Sequence, residues 1–338
     1  MNDKTDLCEK NVLLIAPAFF NYEKVIVDEL ARRGAIVTYA NADPSISYST
    51  LISIFKRFKF PIEKLIGRFE KKTFKFISKS GDKFDYFILI CGMAITSHLV
   101  GLINHKLMNL DGMTVLYYWD SRKLLKDDVR KLGLFDRVYS FDKEDCKLHK
   151  PDMNFLPLFY VEDYIRGKNS IRQHIQYDIA SVGSFKFDRY FMLKRMKDKN
   201  PGLRMNIFQY CNLANFIFHK TLRRKYRSIA YKDISFRKKS ADEILNIYDA
   251  SYAVLDIPRV GQNGLTMRTF ECIAMGKKLI TTNKNIVEYD FYDPRNIAIL
   301  NDDLSLPSSR WFAQEYAPID PVILSRYSIS NWVGELVR

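Results

Sequence analysis

Short, uninterrupted apolar runs alternate with helical spacing along this chain, and the alternation runs through twice. Residues 11–16 (NVLLIA) have the length and continuity of a buried strand, 23–33 have helical spacing and end at Gly34, and 35–39 form a second strand. Residues 84–91 (FDYFILIC) and 113–119 (MTVLYYW) are further strands, with a helix over 97–107 between them, and 137–140 and 154–158 are shorter ones. The cycle restarts at 177–182 (YDIASV), which ends in Gly183-Ser184, and continues as helix 189–197, strand 204–208, helix 241–248, strand 252–257 (YAVLDI), helix 266–275 and strand 278–281. Continuous apolar strands bounded by amphipathic helices belong to parallel sheets covered on both faces, so the expected class is α/β with two successive doubly wound units. The polar stretch 161–176 (VEDYIRGKNSIRQHIQ) has the composition of the connection between them. Ligands of such sheets bind beyond the carboxyl ends of the strands and in the cleft between domains.

Composition removes several classes. Hydrophobic residues make up 47% and charged residues 27% of the 338, which is globular and excludes disordered or collagen-like chains. No apolar run approaches the ~20 residues that span a bilayer, and the first residues, MNDKTDLCEK, lack the pattern of an export signal, so a cytoplasmic protein is expected. Cys8, Cys91, Cys146, Cys211 and Cys272 are scattered and odd in number, which suits a reducing compartment and gives neither a disulfide framework nor a zinc pattern. The histidines at 98, 105, 149, 174 and 219 show no ligand spacing, so no metal is expected. A net charge of +14 points to an anionic partner: nucleic acid, phosphorylated metabolites or an acidic membrane surface.

The most informative stretch is 240–283, SADEILNIYDASYAVLDIPRVGQNGLTMRTFECIAMGKKLITTN, which reads helix, strand, glycine-bearing loop, helix, strand. Gly261 and Gly264 permit tight backbone geometry, and Thr266 stands where it can cap the following helix. The N–H groups at that helix start form an anion site. Arg268 lies in the first turn, where its guanidinium can join those amides on a phosphate, and Glu271 lies on the same face, where a carboxylate can accept from the vicinal hydroxyls of a ribose. An ordinary i,i+3 ion pair between Arg268 and Glu271 is the alternative.

The run G-L-T-M-R-T-F-E-C-I-A-M-G-K-K-L-I-T resembles the nucleotide-binding segment of GT-B glycosyltransferases, in the group 1 variety seen in capsule, lipopolysaccharide and spore-maturation proteins. The likeness is specific over about 45 residues and elsewhere is one of architecture. It implies an N-terminal acceptor-side Rossmann-like domain over 1–165, a C-terminal nucleotide-sugar-binding Rossmann-like domain over 172–315, and helices over 316–338 that cross back to the first domain. It implies a nucleotide-diphosphate sugar, UDP- or GDP-linked, as donor substrate and no cofactor. Glu271 would hold the donor ribose, and Arg268 with the Gly264, Leu265 and Thr266 backbone would hold the diphosphate. Gly183, Ser184 and Lys186, at the end of the first strand of the second unit, and Arg259, in the loop before Gly261, are further donor-phosphate candidates; for Lys186 the alternative is a solvated cation. Many retaining members carry E-x7-E; here the position eight before Glu271 is Asn263, so the usual contact to the donor sugar is missing. No two aspartates are separated by one residue, so the D-x-D metal clamp of GT-A enzymes is absent from the sequence.

A transferase that inverts needs a base within hydrogen-bond reach of the acceptor hydroxyl. Asp120 follows a buried strand directly and is the first candidate, with helix capping as its alternative role; Trp119 can stack on a sugar ring. His98 and Glu23 are weaker candidates, and Asn21 and Tyr22 stand beside Glu23 for acceptor contacts. Residues 51–83 hold ten Lys or Arg among interleaved phenylalanines against three acidic residues, which suits an anionic inner membrane surface or, alternatively, a core-packed helix pair with a solvated outer face. Residues 186–239 hold sixteen Lys or Arg against three Asp. No helix-turn-helix, RNP, KH or zinc-finger pattern accompanies them, so nucleic acid is not the expected partner. The expectation is a metal-independent, membrane-peripheral glycosyltransferase acting on a surface polysaccharide or lipopolysaccharide, with a saccharide or lipid-linked saccharide as acceptor. A GT-B-fold nucleotide-sugar epimerase, a non-catalytic member and a polyanion-binding α/β protein are the rivals.

Overall fold

The computed structural model describes residues 6–43, 62–90, 94–121, 129–167, 175–301 and 303–338. Residues 51–61 of the basic segment, Cys91, His174 and much of the 161–176 connection lie outside them. The chain divides into two compact units, one running to Pro157 and taking in Ile329–Arg338, the other Leu158–Ser328. The division falls ahead of the polar connection because Tyr160 pairs with Ser328, its N–H donating to the Tyr327 carbonyl at 2.8 Å.

In the first unit, β1 (Asn11–Ala16), α1 (Tyr22–Arg32), β2 (Ile36–Asn41), α2 (Ile62–Ile77), β3 (Phe84–Ile90), α3 (Ser97–Leu107), β4 (Met108–Tyr118), β5 (Arg137–Ser140), α4 (Lys143–Leu148) and β6 (Asn154–Phe155) follow one another. The six strands are parallel in the order β2-β1-β3-β4-β5-β6. Val12, Leu13, Leu14, Ile15 and Ala16 are fully buried, as expected of a strand covered on both faces. Residues 62–77, legible in the sequence mainly as a basic stretch, form α2. Its Phe69 and Phe74 pack on the core, and buried Glu70 accepts from the Thr96 N–H at 3.0 Å and from its hydroxyl. Lys64, Arg68, Lys71, Lys72 and Lys75 are exposed on the other side. One face of α2 is thus packed on the core, while Leu65 and Phe76 stay exposed.

In the second unit the order is α5 (Asp163–Gly167), β7 (Tyr177–Ser184), α6 (Phe187–Lys199), β8 (Met205–Tyr210), α7 (Leu213–Leu222), α8 (Ala241–Asp249), β9 (Ser251–Asp256), α9 (Met267–Ala274), β10 (Lys278–Thr281), β11 (Ile297–Ile299), α10 (Ser309–Ala313) and α11 (Pro321–Ser325). Its five parallel strands run β11-β10-β9-β7-β8. The connections reverse direction on either side of β7, which makes the carboxyl ends of β7 and β9 the topological switch point. In the first unit the switch point lies between β1 and β3.

The tail is shared between the units: α11 stays with the second, and only α12 (Ile329–Val337) joins the first. Trp332 packs edge-on to Tyr117, ring centroids 4.8 Å apart. Buried Arg33, held by Glu29 at 2.9 Å, donates to the Ser330 carbonyl. A Cβ at Gly334 would stand 3.5 Å from the Arg33 guanidinium, in ordinary van der Waals contact with it. Tyr139 donates to the Glu335 carbonyl at 3.2 Å. Burial raises the Glu29 pKa, but Arg32 and Arg33 outweigh it and hold the carboxyl below its ordinary value.

Candidate functional site

β9 ends in Asp256, which is buried and ionisable, so it needs donors. Thr266 donates its hydroxyl at 2.7 Å, Thr269 donates at 3.4 Å, and the Arg268 guanidinium forms an ion pair with it. Arg268 also donates to the Val182 carbonyl on β7 and, through Nε, to Tyr248 Oη at 3.3 Å. It thereby ties the ends of β7 and β9 to α8. Burial pulls its pKa down, yet Tyr248 and Asp256 hold it above the ordinary arginine value. Two readings of the sequence are corrected here. The ion-pair partner of Arg268 is Asp256, twelve residues earlier, rather than Glu271. Thr266 stands at the N-cap of α9 with extended backbone, φ −84° and ψ 162°, but its side chain caps no N–H, and its hydroxyl donates to Asp256.

Gly183 earns its place through the same pair of strands. A Cβ built on it would lie 2.7 Å from Arg268 Nη2 and 3.1 Å from Arg189 Nη1. Arg189, in the first turn of α6, donates from Nε to the Ile257 carbonyl at 2.6 Å and from Nη1 to the Ser184 carbonyl at 3.0 Å, and so spans the switch point. Burial and the neighbouring Arg268 push its pKa down to about 10, against a smaller upward pull from Asp256. Arg189 was not singled out in the sequence, where it is one of sixteen cations; its place five residues after the end of the β7 Gly-Ser pair was the only signal.

Around this centre, Lys186 is exposed at the N-cap of α6, and Arg259 is exposed in the loop after β9. Gly261 takes a left-handed φ of 83°, which glycine adopts without strain. The carbonyls of Asn263 and Gly264 accept from Asn283 Nδ2 at 2.9 and 3.3 Å, while Leu265 is buried as an anchor. Asn283, just past β10, is thus a clamp on the loop that sequence spacing did not reveal. Glu271 is buried one turn along α9 from Arg268 and accepts a hydrogen bond from Tyr164 of α5.

In the first unit, side chains gather at the carboxyl ends of β1, β2 and β4. Phe20 and Asn21 both have left-handed backbone, φ 51° and 65°, an uncommon pairing that strains the turn into α1. Glu23 accepts from the Phe19 N–H at 3.0 Å, and the Phe19 ring lies 6.5 Å from Tyr22 and 6.3 Å from Trp119. Asp43, unmarked in the sequence, joins them: burial, and then the charge of Asp120, raise its pKa. Burial, Glu23 and Asp43 together push the Tyr39 phenol up to about 12. His98 is exposed in the first turn of α3. Among the described residues, no group of three or more His, Cys, Asp or Glu is gathered as for a metal ion.

The raised Asp43 pKa has a testable sign. Its charged form is penalised in the folded protein, so the penalty is absent below the ordinary carboxylate value of about 3.9 and grows as pH rises through it. Asp43→Asn is expected to raise the thermal midpoint at pH 7 and to leave it unchanged near pH 3.5. Equal gains at both pH values would remove the burial argument.

No family model matches the chain, and no curated protein matches it in sequence. Solved structures do match in fold. A glycosyltransferase from Rickettsia africae aligns at a TM-score of 0.58 and 12% identity, covering 97% of both chains. Anabaena HepE, in complex with UDP and glucose, aligns at 0.59 and 9% identity, covering 97% of this chain and 98% of that one. A UDP-GlcNAc 2-epimerase from Neisseria meningitidis, bound to UDP-GlcNAc, aligns at 0.51 and 8% identity with the same coverage. Two parallel sheets flanked by helices and these neighbours in fold together show that the chain has the GT-B glycosyltransferase fold.

Proposed function

We propose that the chain is a glycosyltransferase that moves a sugar from a nucleotide-diphosphate donor to a saccharide acceptor, a surface polysaccharide or lipopolysaccharide. The observation that carries this reading is the second guanidinium at the switch point. Arg268 is neutralised by Asp256, whereas among the described residues Arg189 has only carbonyls as its hydrogen-bonded partners, and a lowered pKa, so an anion placed beside it restores the charge balance. The diphosphate binds against Arg189 and the N-terminus of α9, with exposed Lys186 and Arg259 as outer cations, and the negative charge that builds on the departing nucleotide is stabilised by groups already in place. Glu271 accepts from the ribose hydroxyls; a carboxylate has about four acceptor sites, so the Tyr164 bond leaves capacity. In the first unit Asp120 takes the proton of the acceptor hydroxyl as that oxygen bonds to the sugar carbon and the bond to the diphosphate breaks. Trp119, Tyr22 and Asn21 hold the acceptor.

A thermal-shift panel of UDP, GDP, dTDP, ADP and CMP tests this. One nucleotide family is expected to stabilise the protein, because a ligand at 100 times its Kd adds about 2.7 kcal/mol. Arg189→Gln and Glu271→Ala are each expected to weaken that nucleotide roughly 10- to 100-fold by calorimetry, as loss of a charged hydrogen bond does. Stabilisation by none of the panel, or unchanged affinity in both variants, overturns the donor site. Conversion of a nucleotide sugar with no acceptor present would favour epimerisation over transfer.

A further inference from the structure

Between β8 and α8 the chain departs from the doubly wound plan. Residues 211–239 carry nine Lys or Arg against a single acidic residue, Asp233, and that carboxylate already accepts from Tyr190 Oη at 2.6 Å. α7 starts at an N-cap, Asn212, and turns Phe216 into a small core with Tyr190, Tyr226, Ile229 and Ile234. On its outer face Leu213 and Ile217, one turn apart, remain 47% and 44% exposed. Lys220, three residues further on, donates to the Arg227 carbonyl at 3.3 Å and to the Ile229 carbonyl, and lies 4.6 Å over the ring of Tyr231, itself 51% exposed. The outer face of α7 therefore runs on into the 227–232 loop, where Arg227 and Lys232 are exposed, and Arg224, in the turn that joins the two, is exposed as well.

Two ordinary explanations fail for this surface. A core-packing helix would not keep Leu213 and Ile217 outside, and a surface for a free polyanion has no use for half-exposed leucine and isoleucine. Apolar side chains ringed by lysine and arginine suit a bilayer interface, where the first enter the headgroup–acyl boundary and the second meet lipid phosphates. The packed core beneath α7 holds the face in shape, so no folding is needed on contact. We propose that the α7 face and the 227–232 loop dock on an anionic lipid bilayer. Of the docking segment expected at 51–83, residues 51–61 lie outside the described residues, and α2 packs Phe69 and Phe74 on the core while Leu65 and Phe76 stay exposed. This docking does not depend on the sugar-transfer reading.

The test is co-sedimentation with vesicles of phosphatidylglycerol and phosphatidylethanolamine, against phosphatidylcholine alone, with heparin retention as a measure of soluble-polyanion binding. The chain is expected to pellet with the anionic vesicles and not with the neutral ones. Leu213→Ser with Ile217→Ser is expected to lower vesicle affinity roughly tenfold while leaving heparin retention unchanged. Arg224→Gln with Arg227→Gln and Lys232→Gln is expected to lower it roughly a hundredfold, at about a factor of five for each cation near the surface, and to weaken heparin retention too. All five positions are exposed, so thermal midpoints should hold. Failure of the unaltered chain to bind anionic vesicles overturns the proposal, and so does wild-type vesicle binding by the serine variant, which would mark a surface for a soluble polyanion. Nucleotide-induced thermal shifts are expected to be the same in both variants, which separates this outcome from that of the donor site.

Discussion

Replacing Asp256 with alanine is expected to lower the thermal midpoint of the second unit by on the order of 10 °C. The carboxylate is buried and is, among the described residues, the only ion-pair partner of Arg268 within salt-bridge distance, while Thr266 and Thr269 also donate to it. Removing it strands a guanidinium that is about one-tenth exposed. Breaking a buried pair from one side costs about 3–5 kcal/mol, and each kcal/mol moves the midpoint by roughly 2–4 °C in a unit of this size. Adding Arg268→Met to the same chain is expected to recover part of the loss, because the stranded charge goes with it. A midpoint within about 2 °C of the unaltered protein would show that Asp256 is not the keystone of the switch point.

Asp120→Asn is expected to reduce sugar transfer by about 100- to 10,000-fold, the range general-base catalysis supplies, while the nucleotide-induced thermal shift stays unchanged. The amide keeps the shape of the side chain and its hydrogen-bonding reach but cannot take a proton. The asparagine also removes the charge that helps raise Asp43, so the Asp43 pKa should fall in this variant. Turnover within threefold of the unaltered chain would assign the base elsewhere, with Glu23 next to be replaced.

Strands were legible wherever apolar continuity was long enough to stand out. β5 and β10 have the bounds the sequence suggested, and β1 does too. β11 escaped because Ile297–Ile299 is three residues long, and three apolar residues in a row occur in any loop. β4 begins at Met108, directly after α3, through a stretch where its register with β3 shifts between Phe84 and Tyr86 and where Asn109, Asp111 and Gly112 hide the strand.

The site was legible only as far as local spacing reaches. The loop and helix of 257–274 could be read, and so could Arg268 and Glu271 as residues on one helix face. Their partners could not: Asp256 meets Arg268 because β9 ends beside α9, and Tyr164 reaches Glu271 from more than a hundred residues away. Asp43 and Asp120 are neighbours in neither the sequence nor the strand order, and their charges meet only where the chain leaves the carboxyl edge of the finished sheet. Arg189 illustrates the converse difficulty, since a chain so rich in cations conceals the one that spans the switch point.

The seating of Ile329–Val337 against α1 and Tyr117 also bears on how the molecule is made. The first unit needs a helix that leaves the ribosome about 170 residues after the rest of it. At roughly 5–20 residues per second, Arg33, Tyr117 and Tyr139 wait about 10–60 seconds in the nascent chain for Ser330, Trp332 and Glu335. All of the second unit is translated in that interval. The half begun first is therefore the half completed last, and until then its unsealed apolar seam is a place for a chaperone to hold.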